Sequence, residues 1–118
     1  MIKIDLTKMS LEEVRKKMEN CPINYAMNKI GGKWKPIILH RIQAGINRFG
    51  ILQRAIPTIS KQMLTAQLRE LEEDGFVERK IFAEIPPRVE YSITKSGKTI
   101  FPLLESMKDW GVKQMKKQ

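Results

Sequence analysis

The chain carries one cysteine, Cys21, and one histidine, His40, in 118 residues. A single cysteine forbids an intrachain disulfide and argues against a secreted, disulfide-stapled scaffold. One histidine with one cysteine falls short of the usual ligand set of a zinc site, and no motif calls for a metal or cofactor. Enzymatic readings fail for want of parts, and His40, beside apolar residues on a helix, reads as packed or surface. Long hydrophobic runs are also missing. The longest apolar stretches resemble Pro36 to Leu39, against about 18 residues for a membrane span. The start, Met1-Ile2-Lys3-Ile4-Asp5, has no signal-peptide core, so the expectation is a cytoplasmic protein with no membrane partner. Repeats, low-complexity tracts and Gly/Ser linkers are absent, which reads as one continuous domain over residues 1–118. With 42% apolar residues the chain is not disordered as a whole. At this length it buries roughly two-thirds of its unfolded surface.

The most informative absence is of acid. Lys and Arg number 22 against 13 Asp and Glu, a net charge of +9. Residues 20–69 hold eight bases (Lys29, Lys33, Lys35, Arg41, Arg48, Arg54, Lys61 and Arg69) and no Asp or Glu. Residues 70–118 carry nine of each sign. Nearly all the excess therefore lies in one block. A polyanion lying against that block accounts for it, because each acid there would repel phosphate. The plainer alternative is a basic, solvated surface that aids solubility.

Ser10 can cap a first helix, with Glu13 completing a capping box and Leu11, Val14 and Met18 on one face. Asn20, Cys21 and Pro22 break the pattern. A second helix runs from Pro22 to Gly31-Gly32, and a third spans about Trp34 to Gln43, with Ile37, Ile38, Leu39 and Ile42 as its apolar set. Asn47 to Phe49 reads as extended, Gly50 to Ala55 as a brief helix closed by Pro57. Ser60 opens a strong amphipathic helix to Asp74 whose core positions are Met63, Leu64, Leu68 and Leu71. The period then changes to two: Phe76 to Phe82 and Val89 to Ile93 read as strands around Pro86-Pro87. Thr94 caps a long last helix bearing Ile100, Phe101, Leu104, Met107, Trp110 and Met115, with Pro102 inside it expected to kink it. The fold class is mainly α with a small β-hairpin wing, a winged helix-turn-helix. Residues 50–75 form the helix-turn-helix and 76–93 the wing. The terminal helices span 10–19 and 95–116.

A recognition helix needs one face for the core and an opposite face of short or forked polar groups. The helix from Ser60 supplies both, its outward residues being Lys61, Gln62, Thr65, Ala66 and Arg69. Lys61, Thr65 and Arg69 lie four apart, on one stripe. Gln pairs with adenine edges, Arg or Lys with guanine, and Thr with a thymine methyl or a phosphate. Glu70, Glu72, Glu73 and Asp74 begin past the stripe, at a helix end where acids oppose the dipole. In the wing, Arg88 either enters a minor groove or meets a phosphate, or pairs with Glu90 and braces the hairpin. Gly31-Gly32-Lys33-Trp34 faintly resembles a phosphate loop but lacks its glycine spacing and its Ser or Thr. It reads better as a helix start, with Lys33 near a DNA phosphate.

With these residues in view the chain resembles the HxlR-type winged-helix transcriptional regulators of the MarR-like group. The matching stretches are Cys21-Pro22, Gly31-Gly32-Lys33-Trp34, Arg48-Phe49, Ile59-Ser60 and Met63-Leu64-Thr65. They continue through Leu68-Arg69-Glu70-Leu71-Glu72-Glu73-Asp74-Gly75, Pro86-Pro87-Arg88-Val89-Glu90-Tyr91 and Thr94 to Gly97, in the family's order. The resemblance implies a homodimer on a palindromic operator of double-stranded DNA, with Lys33, Arg48, Ser60, Lys61, Gln62, Thr65, Arg69 and Arg88 as candidate DNA contacts. It also implies a dimer interface of the terminal helices, for which Leu11, Val14, Met18, Leu104, Met107 and Trp110 are candidates. Some family members sense oxidants or electrophiles through the cysteine that Cys21 matches; the plainer reading is a small packed residue. Two positions depart from the family. Gly50-Ile51 replaces a capping Ser and a Glu, so the short helix is expected to fray at its start. Thr58 stands where a glycine is usual, in the turn before Ile59.

Three other readings stay open beside this one. The chain could coat nucleic acid without sequence preference, or present its basic face to an acidic protein. The Met and Trp stripe of the last helix could line a small-molecule effector pocket instead of a core or dimer seam.

Overall fold

The computed structural model describes residues 8–118. Where the sequence reads as one continuous domain, these residues form two compact units, divided between Gly32 and Lys33. The first holds α1 (Leu11–Glu19) and α2 (Pro22–Ile30), which pack on each other. The Ser10 hydroxyl accepts from the Glu13 amide at 3.2 Å, as the capping pattern predicts. Pro22 sits in the first turn of α2 and Gly31 ends that helix.

The second unit contains α3 (Lys35–Gln43), α4 (Phe49–Ala55), α5 (Lys61–Glu73), β1 (Val77–Phe82), β2 (Arg88–Ile93), α6 (Lys95–Lys98) and α7 (Phe101–Met115). It is a winged helix. Ile38, Leu39, Leu52, Leu64, Leu68 and Leu71 are fully buried, so α3, α4 and α5 share one core. Met63, read as a core position, is exposed, and Ile37 is half-buried. Each lies at the edge of its helix's apolar stripe.

Strands β1 and β2 pair antiparallel, with Val77 opposite Ile93 and Arg79 opposite Tyr91. The extended piece at 47–48 joins their edge, through a bridge from Arg48 to Glu90 and a 2.9 Å bond from the Tyr91 amide to the Asn47 carbonyl.

Three local expectations change. Helix α4 begins at Phe49, with Arg48 as its N-cap residue, so Gly50 lies inside the first turn and is no cap at all. The last helix is broken, not kinked. Thr94 caps only α6, Thr99 and Ile100 turn the chain, and Pro102 falls in the first turn of α7. A proline has no amide to bond backwards and clashes with the preceding turn, so the helix restarts around it. Finally, Leu104, expected at a dimer interface, is buried in the core of its own chain.

The turn between α4 and α5 depends on Thr58, which has φ +70°, the one positive φ at a non-glycine among the described residues. A β-branched residue is an outlier there, since the left-handed region costs roughly 1–2 kcal/mol for a residue with a Cβ. A glycine at this position would avoid that cost. Thr58→Gly is therefore expected to stabilise the protein by about 1 kcal/mol, offset in part by glycine's greater freedom when unfolded. Its thermal midpoint should rise by roughly 4 °C. An unchanged or lower midpoint would show that the turn stores no strain at Thr58.

Candidate nucleic-acid interface

Helix α5 is positioned from both ends. Ser60 caps it, its hydroxyl accepting from the Met63 amide at 3.0 Å. Leu64, Leu68 and Leu71 anchor one face in the core. On the opposite face, Lys61, Gln62, Thr65, Ala66 and Arg69 together line one shallow depression. These are the outward residues expected from helical spacing, and all but Thr65 are exposed. The Thr65 hydroxyl donates back to the Lys61 carbonyl at 2.8 Å, so its proton is already used.

Two of the acids past this stripe form ion pairs within the unit. Glu70 pairs with Lys35 at 3.0 Å, and that lysine of α3 is itself buried. Glu72 pairs with Arg79 of β1 at 3.5 Å. Acids that oppose the helix dipole are thus used to tie α5 to α3 and to the hairpin. The same pairing lowers the charge available to a polyanion, because Lys35 belongs to the basic block but faces inward.

Outside α5 the candidates fare differently. Lys33 is exposed, its amine 4.6 Å from the centre of the Trp34 ring. Arg48 is half-exposed and lies 3.6 Å from Glu90. Arg88, offered as a groove or phosphate contact, is committed elsewhere. It lies 3.3 Å from both Glu84 and Glu90, and its guanidinium stacks 4.1 Å from the Phe82 ring centre. Two carboxylates and an aromatic face thus surround it, the arrangement of the bracing reading. The tip of the wing is instead Ile85, which is fully exposed.

Cys21, in the first unit, is a free, half-buried thiol at the N-cap position of α2. His40 is exposed, its Nδ1 3.0 Å from an Arg41 guanidinium nitrogen. On the terminal helices Leu11, Met18, Met107 and Trp110 are exposed, Trp110 by 68%, and Val14 is half-buried. Ile23, Tyr25 and Met27 of α2 and Leu103, Val112 and Met115 of α7 are exposed as well. No helix of the described residues is long and apolar enough to cross a membrane. Those residues also hold no cluster of His, Cys, Asp or Glu able to bind a metal ion.

The sequence also missed Arg79 and Tyr91. The signal was present in the strand register, which puts both on the hairpin face that includes buried Val77.

Comparison with known proteins agrees with this geometry. Residues 29–118 match the HxlR-like helix-turn-helix family. The HTH-type transcriptional regulator YybR of Bacillus subtilis (strain 168) is 46% identical over 93 residues, covering 79% of this chain and 74% of its own. Among solved structures, the redox regulator HypR in its oxidised form superposes with a TM-score of 0.75 at 45% identity, over 79% of this chain and 96% of that one. The reduced form of the transcriptional regulator YodB from B. subtilis gives 0.67 at 34% identity, over 76% and 89%. A winged helix matched over most of its length by such regulators leaves one assignment: the chain belongs to the HxlR-like helix-turn-helix family of transcriptional regulators.

Proposed function

We propose that the protein is a sequence-specific regulator that binds a palindromic operator as a homodimer, placing α5 of each protomer in a major groove. The observation that carries this reading is the row of Lys61, Gln62, Thr65, Ala66 and Arg69, exposed except for half-buried Thr65, opposite the buried leucines of α5. Forked and short polar groups on a rigid helix read base edges, whereas phosphate contacts alone need only charge. The dimer reading rests on Leu11, Met18, Met107 and Trp110, exposed apolar side chains on the terminal helices that a second copy would cover.

A competition gel shift tests it. The protein should prefer the DNA upstream of its own gene over a mixed-sequence duplex by about a thousandfold or more. Near-equal affinity would replace this reading with a non-specific architectural binder. No shift at low salt would point to an acidic protein partner.

A redox response through Cys21 is the finer reading favoured by the similarity to HypR, which is named a redox regulator, and by the free thiol at the α2 N-cap. With one cysteine per chain, oxidation by diamide yields a Cys21–Cys21 disulfide between subunits or a mixed adduct. Diamide should weaken the shift of the wild type and spare Cys21→Ser; equal loss in both would exclude Cys21 as the sensor.

A further inference from the structure

We propose that the root of the wing carries a further DNA contact, in which the Arg79 guanidinium and the Tyr91 phenol hold one backbone phosphate that displaces Glu72 from Arg79. The inference rests on the proposed DNA-binding function and extends it to residues off the recognition helix.

A recess of about 200 Å³ lies between α5 and the hairpin, lined by Thr65, Leu68, Arg69, Glu72, Arg79 and Tyr91. Thr65 and Arg69 also line the depression on the outer face of α5, so the recess continues the surface that would meet DNA. Arg79 and Tyr91 are directly opposed across the two strands, which sets their side chains on one face of the hairpin. The Tyr91 backbone is fixed by its bond to the Asn47 carbonyl. The site is therefore built on paired strands and a helix, not on the wing loop.

Its chemistry is that of an anion site with a resident competitor. Two guanidinium groups, from Arg69 and Arg79, border it, and Glu72 is the one acid among its lining residues. Burial raises the Tyr91 pKa above the usual phenol value; Glu72 adds to the rise, while Arg79 and Arg69 oppose it. The phenol is thus protonated at neutral pH and available as a donor. The Thr65 hydroxyl is not, since it already donates to Lys61. The Glu72–Arg79 pair is long at 3.5 Å, and its side chains are 37% and 48% exposed. Such a pair is screened and weak. A phosphate offers the guanidinium a bidentate, charge-assisted contact with a further bond from the phenol, and so exchanges favourably for the carboxylate.

Because a phosphate contact is blind to sequence, a mixed-sequence duplex suffices as probe, with binding followed by fluorescence anisotropy over a series of salt concentrations. Arg79→Gln should weaken binding several-fold at low salt and reduce the slope of log affinity against log salt by about one. Tyr91→Phe should weaken binding with the slope unchanged. Glu72→Gln should tighten it several-fold, and by more than Glu78→Gln. That control removes the same charge from the opposite face of β1, where Glu78 faces Ser92. The gain should vanish in the Glu72→Gln, Arg79→Gln double variant.

If Arg79 only ties β1 to α5, Arg79→Gln will lower the melting temperature and leave the salt slope at the wild-type value, which overturns the proposal. Glu72→Gln binding no tighter than Glu78→Gln overturns it as well. Wild-type protein that fails to bind the duplex at low salt would remove the proposed function and this contact together. Wild-type binding with an unaltered slope in Arg79→Gln removes this contact alone.

Discussion

Gly97→Ala is expected to destabilise the protein by about 3 kcal/mol. A methyl group on Gly97 would run into the carbonyl oxygen of Phe76 and lie 2.9 Å from Cγ2 of Ile93. Neither neighbour can move freely. The Phe76 carbonyl accepts from the Thr94 amide at 3.1 Å, and Ile93 is paired with Val77 at the base of the hairpin. The Thr94 hydroxyl meanwhile accepts from the Gly97 amide at 2.9 Å and donates to the Gly75 carbonyl. Thr94 and Gly97 thus clamp the end of the wing to the turn that leaves α5. Forcing a methylene-sized group into a packed contact costs about 1–3 kcal/mol, and loss of a backbone hydrogen bond adds about 1. Against a typical total of about 5–15 kcal/mol that is a large share. A thermal melt should show it as a fall of roughly 10 °C or more. Ser96→Ala, at an exposed position of the same short helix, should melt near the wild type. Equal midpoints for the two variants would show that the Gly97 contact is not tight.

That clamp also explains which parts of the fold were legible in the sequence. Caps at Ser10, Ser60 and Thr94 are decided within three residues by a hydroxyl and a nearby amide, and each forms the bond its pattern predicts. The change from a helical period to a period of two located the hairpin to within a residue at each end. The break between α6 and α7 was harder, because Thr94 starts a helix and Pro102 ends or begins one, and spacing alone does not say which. The φ of Thr58 was foreshadowed only by the departure from the family's glycine.

Side-chain partners far apart in sequence were not legible. An apolar stripe shows that Leu104 and Trp110 are to be covered, but not by what. The structure sends Leu104 into its own core and leaves Trp110 exposed. The acid-free block also counted Lys35, which is buried against Glu70. It also drew attention away from Arg79, which lies outside the block and pairs with an acid. Net charge in a segment says nothing about which bases face outward. For Arg88, both partners lay close in sequence. Glu84 and Glu90 flank it, and only the hairpin geometry showed that both reach it at once.

The functional counterpart is expected on the outer face of α5, where Arg69→Ala and Gln62→Ala should each reduce the preference for the operator by about 1–3 kcal/mol, tenfold or more in the specificity ratio. Both side chains are exposed and take no part in the core, so the folded structure should tolerate the change. The two variants differ in what else they lose. Gln62 is neutral, and its removal should leave the salt slope and the affinity for mixed-sequence duplex untouched. Arg69 also contributes charge, so its removal should lower both specific and non-specific binding, the former more. Lys33→Ala supplies the contrast. A lysine near phosphate should weaken binding to every duplex alike and flatten the salt dependence by about one. Base reading therefore predicts a loss of discrimination for Gln62 with no change of slope, and a change of slope for Lys33 with no loss of discrimination. A uniform loss from Gln62→Ala and Arg69→Ala across all sequences would remove α5 as the reading element and leave it as one more basic surface.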